Sequence, residues 1–243
     1  MQTRNYAQEF TNRVDFIKQI LTDANCNAIV FGNSGGKDSA LAAILCKVAC
    51  DDTLGVMMPC ESKRNFGEDI SHAKLLANQF KIENITVDLT ETKAEILRAN
   101  PHEISNSAKS NIAPRLRMTT LYAIAQSRGA LVVGTSNRSE MHVGYFTKHG
   151  DGASDFNPIA DLTATEVLEF LRFLKAPAEI IEKPPSAGLF EGQTDEKEFG
   201  FTYKSLDDYL LMGDTNAEDT AKIEQMHKLN SHKLSMPKKF KNG

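Results

Sequence analysis

Four short runs rich in β-branched and other apolar residues, Ala28–Phe31, Leu54–Met58, Ile85–Leu89 and Leu131–Val133, are each separated from the next by residues with helical periodicity. That alternation restricts the architecture severely. Strands joined through helices run parallel, and a parallel sheet is covered by helices on both faces. The expected fold class is α/β, a doubly wound parallel sheet. An amphipathic helix from Tyr6 to Leu21 precedes it, with Phe10, Val14, Ile17 and Leu21 on one face. The connecting helices are expected at Asp38 to about Cys50, Glu68–Phe80 and Ile112–Arg128, the last with Pro114 in its first turn. Asn100–Asn111 and Glu182–Phe199 read as irregular segments, and helical patterns return at Leu206–Met212 and Ala217–Leu229. Residues 1–243 are read as one domain, with a 25–210 core and a 211–243 extension of helix and basic tail. In such sheets ligands bind beyond the carboxyl ends of the strands. Gly32, Pro59, Thr90 and Gly134 stand at those ends and are expected to begin loops lining one crevice.

Composition narrows the partners. Lys and Arg total 28 against 32 Asp and Glu, a formal charge of −4, which gives no electrostatic case for a nucleic acid. No apolar run approaches the ~20 residues of a membrane span, and the start lacks a secretory pattern, so the expectation is a cytoplasmic protein without membrane contact. Cys26, Cys46, Cys50 and Cys60 form no Cys-x-x-Cys pair and have no zinc-type spacing to histidine; reduced thiols, packed in the core at Cys46 and Cys50, are expected.

The chemistry is concentrated after the first strand, in Gly32-Asn33-Ser34-Gly35-Gly36-Lys37-Asp38-Ser39. Glycines leave backbone N–H groups unshielded, serines add hydroxyl donors, and the following helix aims its positive end at the same place. Such a loop suits a pyrophosphate, although a plain Gly/Ser turn has the same composition. The spacing fits neither a Walker loop nor the Gly-x-Gly-x-x-Gly of dinucleotide folds. It resembles the Ser-Gly-Gly-x-Asp-Ser signature of the ATP pyrophosphatase superfamily, whose members cleave ATP between the α and β phosphates. That resemblance refines the fold to a Rossmann-like sheet of the ATP pyrophosphatase type.

Three further segments select among members of the superfamily. Gly134-Thr135-Ser136-Asn137-Arg138-Ser139-Glu140, Gly144 through Asp155, and Lys183-Pro184-Pro185-Ser186-Ala187-Gly188-Leu189 with Gly192-Gln193-Thr194-Asp195-Glu196 resemble the ammonia-dependent NAD synthetases. The resemblance implies a ligase that uses ATP and Mg²⁺ to adenylate the nicotinate carboxylate of deamido-NAD, and ammonia to displace AMP. Carried over residue by residue, it places ATP at Gly32, Asn33, Ser34, Gly35, Gly36, Lys37, Asp38, Ser39, Thr135 and Ser186. It assigns Asp38 and Glu140 as catalytic metal ligands, and Arg115, Lys148, Asp155, His232 and Lys233 as contacts of deamido-NAD. It also implies a homodimer with the dinucleotide at the interface, near the helix bearing Arg115.

Two positions depart from the pattern. The family commonly has an ATP-contacting lysine where this chain has Ala164, and Lys37 is expected to supply the missing charge. Cys60 stands at the crevice edge, where a buried thiol is the expected state. Free ammonia is the expected nitrogen source, since no cysteine lies in the context of an amidase nucleophile. Taken as residues alone, a nucleotide-binding module without turnover, or an RNA-modifying relative, remains open; the pair Asp38 and Glu140 argues for turnover, and the lack of a basic surface argues against RNA.

Overall fold

The computed structural model describes residues 4–62, 65–183, 195–213, 215–237, 239 and 240. Helix α1 (Tyr6–Asp23) starts where the Asn5 side chain accepts from the Gln8 amide, and it buries Val14, Ile17 and Leu21. Strand β1 (Ala28–Gly32) leads to α2 (Lys37–Ala49), β2 (Thr53–Met57), a π turn at Asn65–Asp69, α3 (Ile70–Phe80) and β3 (Glu83–Thr86). Helices α4 (Thr90–Ala99), α5 (Asn106–Ser110) and α6 (Ile112–Arg128) precede β4 (Ala130–Val132). Then come α7 (Arg138–Val143), α8 (Ala164–Phe173), α9 (Ala178–Ile181), α10 (Asp195–Phe199), α11 (Tyr203–Met212), α12 (Ala217–Asn230) and a 3₁₀ turn at Ser231–Lys233.

The strands form one parallel sheet in the order β3-β2-β1-β4. Alternate residues of β1 serve opposite layers. Ile29 and Phe31 join α1, α2 and α8 in the larger apolar core, whereas Val30 joins Leu54, Val56 and the face of α6 that carries Leu121 and Ala125. A strand covered on both sides needs apolar residues throughout, which is why the first two strand runs lack polar alternation. The order of winding switches at β1, which has β2 on one side and the edge strand β4 on the other, and the crevice opens beyond the carboxyl ends of β1 and β4.

The sequence expectations need several adjustments, among them α10, which falls within the segment Glu182–Phe199 expected to be irregular. Strand β3 begins at Glu83, before the expected Ile85, because the edge strand pairs through polar Glu83 and Asn84; Val87 and Leu89 continue its hydrogen bonds to Met57 and Pro59. Helix α4 was not expected from its mostly polar residues, although Asp88 caps its first amide at 2.9 Å. The segment expected to be irregular at Asn100–Asn111 contains α5, started by Ser105. Helix α8 was also not expected; its start is a capping box of Thr163 and Glu166.

An ion pair between buried Arg13 and half-exposed Asp161 fastens α1 to the loop before α8. Arg13 donates to both carboxylate oxygens of Asp161, at 2.6 and 2.9 Å, and to the Pro158 carbonyl. Burial pushes the Asp161 carboxyl up, but the Arg13 bond and charge, helped by Arg4, outweigh it and hold the group below its usual range. Such a group adds stability above the ordinary Asp value and loses it as the pH falls through the lowered one. Asp161→Asn is expected to lose ~1 kcal/mol at pH 7, modest because Asp161 is half-exposed, and the gap to wild type should close below about pH 4. Urea melts across that range check it; a gap unchanged at acid pH contradicts it.

Candidate active site

The phosphate loop is shaped by its small residues. Gly35 has φ +68°, and a Cβ placed there would lie 2.3 Å from the Asp69 carbonyl oxygen. Ser34 and Ser39 hydroxyls meet at 3.0 Å, and Ser39 also donates to the Gly36 carbonyl. Gly36 caps α2 with no side-chain acceptor, so the amides of that 13-residue helix's first turn face the crevice as anion donors. Asn33 is buried behind the loop, its side-chain amide donating to the Ala73 carbonyl and to Asn84 Oδ1. These bonds tie the loop to α3 and β3, a connection that the loop composition alone does not reveal.

Asp38 stands in the first turn of α2 and Glu140 in the first turn of α7, and Asn137 links them. Its Nδ2 donates to Asp38 at 2.9 Å, while its backbone N–H donates to Glu140 at 3.2 Å in a reciprocal capping box. Burial pushes the Glu140 carboxyl well above its ordinary range, and the Asp38 charge pushes it further. Asp38 is also raised, mainly by burial, with Lys37 and Asn137 opposing. Two desolvated carboxylates facing one another favour a cation between them. Among the described residues no three His, Cys, Asp or Glu side chains converge on a closed metal site. Two carboxylates are nevertheless what Mg²⁺ uses when phosphate oxygens and water complete its shell, so the residues present fit that ion.

A buried aromatic wall faces this pair. The Lys37 ammonium lies 4.6 Å from the Tyr203 ring centre. Tyr203 and Tyr145 both donate to Asp195, at 3.0 and 3.1 Å. Burial and the surrounding carboxylates push the Tyr203 phenol far up, so it remains a donor at neutral pH. Ala164 does not line the crevice. It is buried in the apolar cluster that includes Tyr203 and Leu206.

The crevice encloses about 970 Å³ and is lined by Gly32, Pro59, Gly134 and Thr135, among others. Thr90 is not on it; its hydroxyl accepts from the Glu61 amide, and Lys93, three residues on in α4, reaches the crevice instead. The residues expected at the dinucleotide divide into two groups. Arg115 donates to the Lys148 carbonyl, Lys148 to the His232 carbonyl, and Lys233 to the carbonyls of Gly144 and Phe146 at 2.8 and 3.2 Å. These four residues from distant parts of the chain therefore meet in one place, with Lys233 on the crevice wall. Asp155 does not join them. Its carboxylate accepts from the Val132 amide at 2.7 Å and from Tyr122, closing the free edge of β4, a demand visible only once the strand order is known. Ser186 lies outside the described residues. Cys60 is buried, its thiol pushed up by burial and aimed at the Leu89 carbonyl, away from the crevice lining.

Several crevice residues have no role in the sequence reading, among them Asp195 and Arg117. Asp195 was visible only as part of a motif without a role. Arg117, half-buried two residues after Arg115, donates to the Met58 carbonyl and to Asn65.

The motifs are matched along nearly the whole chain. A family model described as NAD synthase fits residues 9–237. The chain belongs to the NAD synthase family. Within that family an NH(3)-dependent NAD(+) synthetase of Carboxydothermus hydrogenoformans is 44% identical over 96% of this chain and 97% of its own length. Among solved structures, an NMN synthetase from Francisella tularensis superposes with a TM-score of 0.93 at 33% identity, covering 98% of this chain and 99% of that one. The NH3-dependent NAD synthetase of Campylobacter jejuni gives 0.80 at 26% identity, covering 98% of this chain and 100% of its own. The parallel α/β sheet is thus that of the NAD synthase family.

Proposed function

We infer that this chain is an ammonia-dependent NAD synthetase, a ligase that amidates deamido-NAD at the expense of ATP. The observation that carries the reading is the meeting of Asp38 and Glu140 at Asn137, beside the open N-terminus of α2, in a chain similar to named synthetases over nearly its full length. A carboxylate is a poor electrophile, so its oxygen first attacks the α-phosphorus of ATP and pyrophosphate leaves. Ammonia then adds to the acyl carbon of the adenylate, loses a proton, and AMP departs with the carbon–oxygen bond pair. The amides of Gly36 and the first turn of α2, with Ser34, Ser39 and Lys37, receive the pyrophosphate charge. Asp38 and Glu140 would hold Mg²⁺, which supplies countercharge to the departing pyrophosphate when bound. Thr135, after β4, borders the same site. Lys233, with Arg115, Lys148 and His232 behind it, forms the cationic end suited to an anionic nucleotide. A homodimer contacting through α6 belongs to the same reading, and light scattering at assay concentration tests it.

A mononucleotide acceptor is the second reading, favoured by the TM-score of 0.93 to the Francisella tularensis NMN synthetase. Nicotinate mononucleotide carries the same reacting carboxylate without the AMP half of deamido-NAD. Comparing kcat/KM for the two decides: a higher value for deamido-NAD sustains the first reading, and a higher one for the mononucleotide replaces it. No described helix is long and apolar enough to cross a membrane.

Lys37 gives a separate test. Its side chain is buried against Tyr203 at the mouth of α2, where a charge-assisted contact to phosphate is worth ~1.5–3 kcal/mol. Lys37→Met is expected to weaken ATP binding roughly ten- to a hundredfold in calorimetric titration. Unchanged affinity would remove Lys37 from the ATP site.

A further inference from the structure

An ion pair unused by the chemistry above crosses the crevice wall next to the phosphate loop. Lys183 Nζ lies 2.6 Å from Asp69 Oδ1, with side-chain exposures of 7% and 16%. The other Asp69 oxygen accepts from Asn65 Nδ2 at 2.7 Å, and Asn65 Oδ1 accepts from the Arg117 guanidinium. Asp69, Asn65, Arg117 and Lys183 all line the crevice. The Asp69 backbone oxygen, meanwhile, packs directly on Gly35, in the space a Cβ would take. The carboxylate that holds Lys183 is therefore built into the turn supporting the phosphate loop.

Withdrawing two charges from water is costly, and a pair of this kind is weak as a stabilising device. Its value lies in where it leaves the ammonium. Lysine has three N–H donors, and one bond to Asp69 leaves two to offer. We propose that Lys183 is an ATP-binding residue that donates to the phosphates, with Asp69 as the positioning residue that holds it beside the loop. The proposal rests on the synthetase reading and adds a cation from the far end of the chain to the loop that Gly32–Ser39 supplies. A merely structural pair makes a different forecast, since either variant would then disturb the whole site equally.

The test is calorimetric binding of ATP and, separately, adenosine to wild type, Lys183→Met, Lys183→Arg and Asp69→Asn, each checked for fold by circular dichroism. Lys183→Met is expected to bind ATP roughly ten- to a hundredfold more weakly, with adenosine affinity within about twofold of wild type. Lys183→Arg should keep ATP binding within about tenfold, since it retains the charge, and it carries the test if the methionine variant does not fold. Asp69→Asn should lose less ATP affinity than Lys183→Met, because the ammonium remains. Equal losses for Asp69→Asn and Lys183→Met, equal weakening of adenosine and ATP, or ATP affinity unchanged in Lys183→Met would each overturn the proposal. NAD formation by wild type from the same preparation separates the two levels: its absence removes the synthetase reading, whereas its presence with unchanged ATP binding in Lys183→Met removes only the role of Lys183.

Discussion

Glu140→Gln is expected to lower NAD formation by about a thousandfold or more while raising the melting temperature of the ligand-free protein. The loss follows from taking away one of two carboxylates available to a cation that neutralises the leaving pyrophosphate, a contribution of several kcal/mol. The gain follows from the same geometry. Burial and the Asp38 charge hold the Glu140 carboxyl well above its ordinary range, so its charged form is unfavourable in the folded chain. A raised carboxyl contributes its stability at low pH and loses it as the pH climbs through the folded value. The variant's advantage should therefore grow as the pH rises above the ordinary carboxylate range. Glutamine still completes the capping box with Asn137, so α7 keeps its start. About 1 kcal/mol would shift the transition of a chain this long by ~2–4 °C. Thermal melts with and without ATP and Mg²⁺, beside the activity assay, check both halves. Activity within tenfold of wild type, or a lower melting temperature at neutral pH, contradicts the assignment.

Gly35→Ala should be the most damaging single-methyl change in the phosphate loop. Its φ of +68° disfavours any residue with a Cβ, and the new methyl would sit 2.3 Å from the Asp69 oxygen and 3.1 Å from the Ala73 nitrogen. Both contacts are to backbone, so the loop or α3 must move. Left-handed strain of ~1–2 kcal/mol plus that displacement gives an expected loss of about 2–4 kcal/mol, with ATP affinity lowered by roughly a hundredfold. Gly67 is the internal control. It lies in the neighbouring π turn, a Cβ there would meet nothing within 4 Å, and Gly67→Ala should stay within about 0.5 kcal/mol of wild type. Equal urea midpoints for the two variants would show that the contact with Asp69 does not constrain the loop.

The contrast between these glycines shows what was legible in the sequence. The phosphate loop was recognisable because its chemistry is local: small residues, hydroxyls and a helix start lie within eight positions. Helix α6 was legible at both ends, since Gly129 adopts the left-handed conformation that ends it. Strands β1, β2 and β4 were located within a residue or so by their continuous apolar runs, while the polar edge strand β3 was misplaced. Helices α4, α5 and α8 each have a capping signal at the start, Asp88, Ser105 and Thr163, and α8 adds apolar periodicity at Val167, Phe170 and Leu171. In the site, Asp38 and Glu140 belong to separate motifs, and the bonds of both to Asn137 are a product of folding. The bond of Asp155 to the amide of edge strand β4 could not be read from the sequence, because strand order is a tertiary property. Asp69 and Arg117 carry no local signature, and Lys183 stands in a motif that gives it no role; only folding brings the three to one wall.

The most direct measurement follows all products in a single reaction of the purified protein with ATP, MgCl₂, deamido-NAD and ammonium chloride. NAD, AMP and pyrophosphate formed in equal amounts, with NAD lost when ammonium is omitted, is the expected result. ADP and phosphate in place of AMP and pyrophosphate, or ATP bound without any NAD formed, would contradict the account.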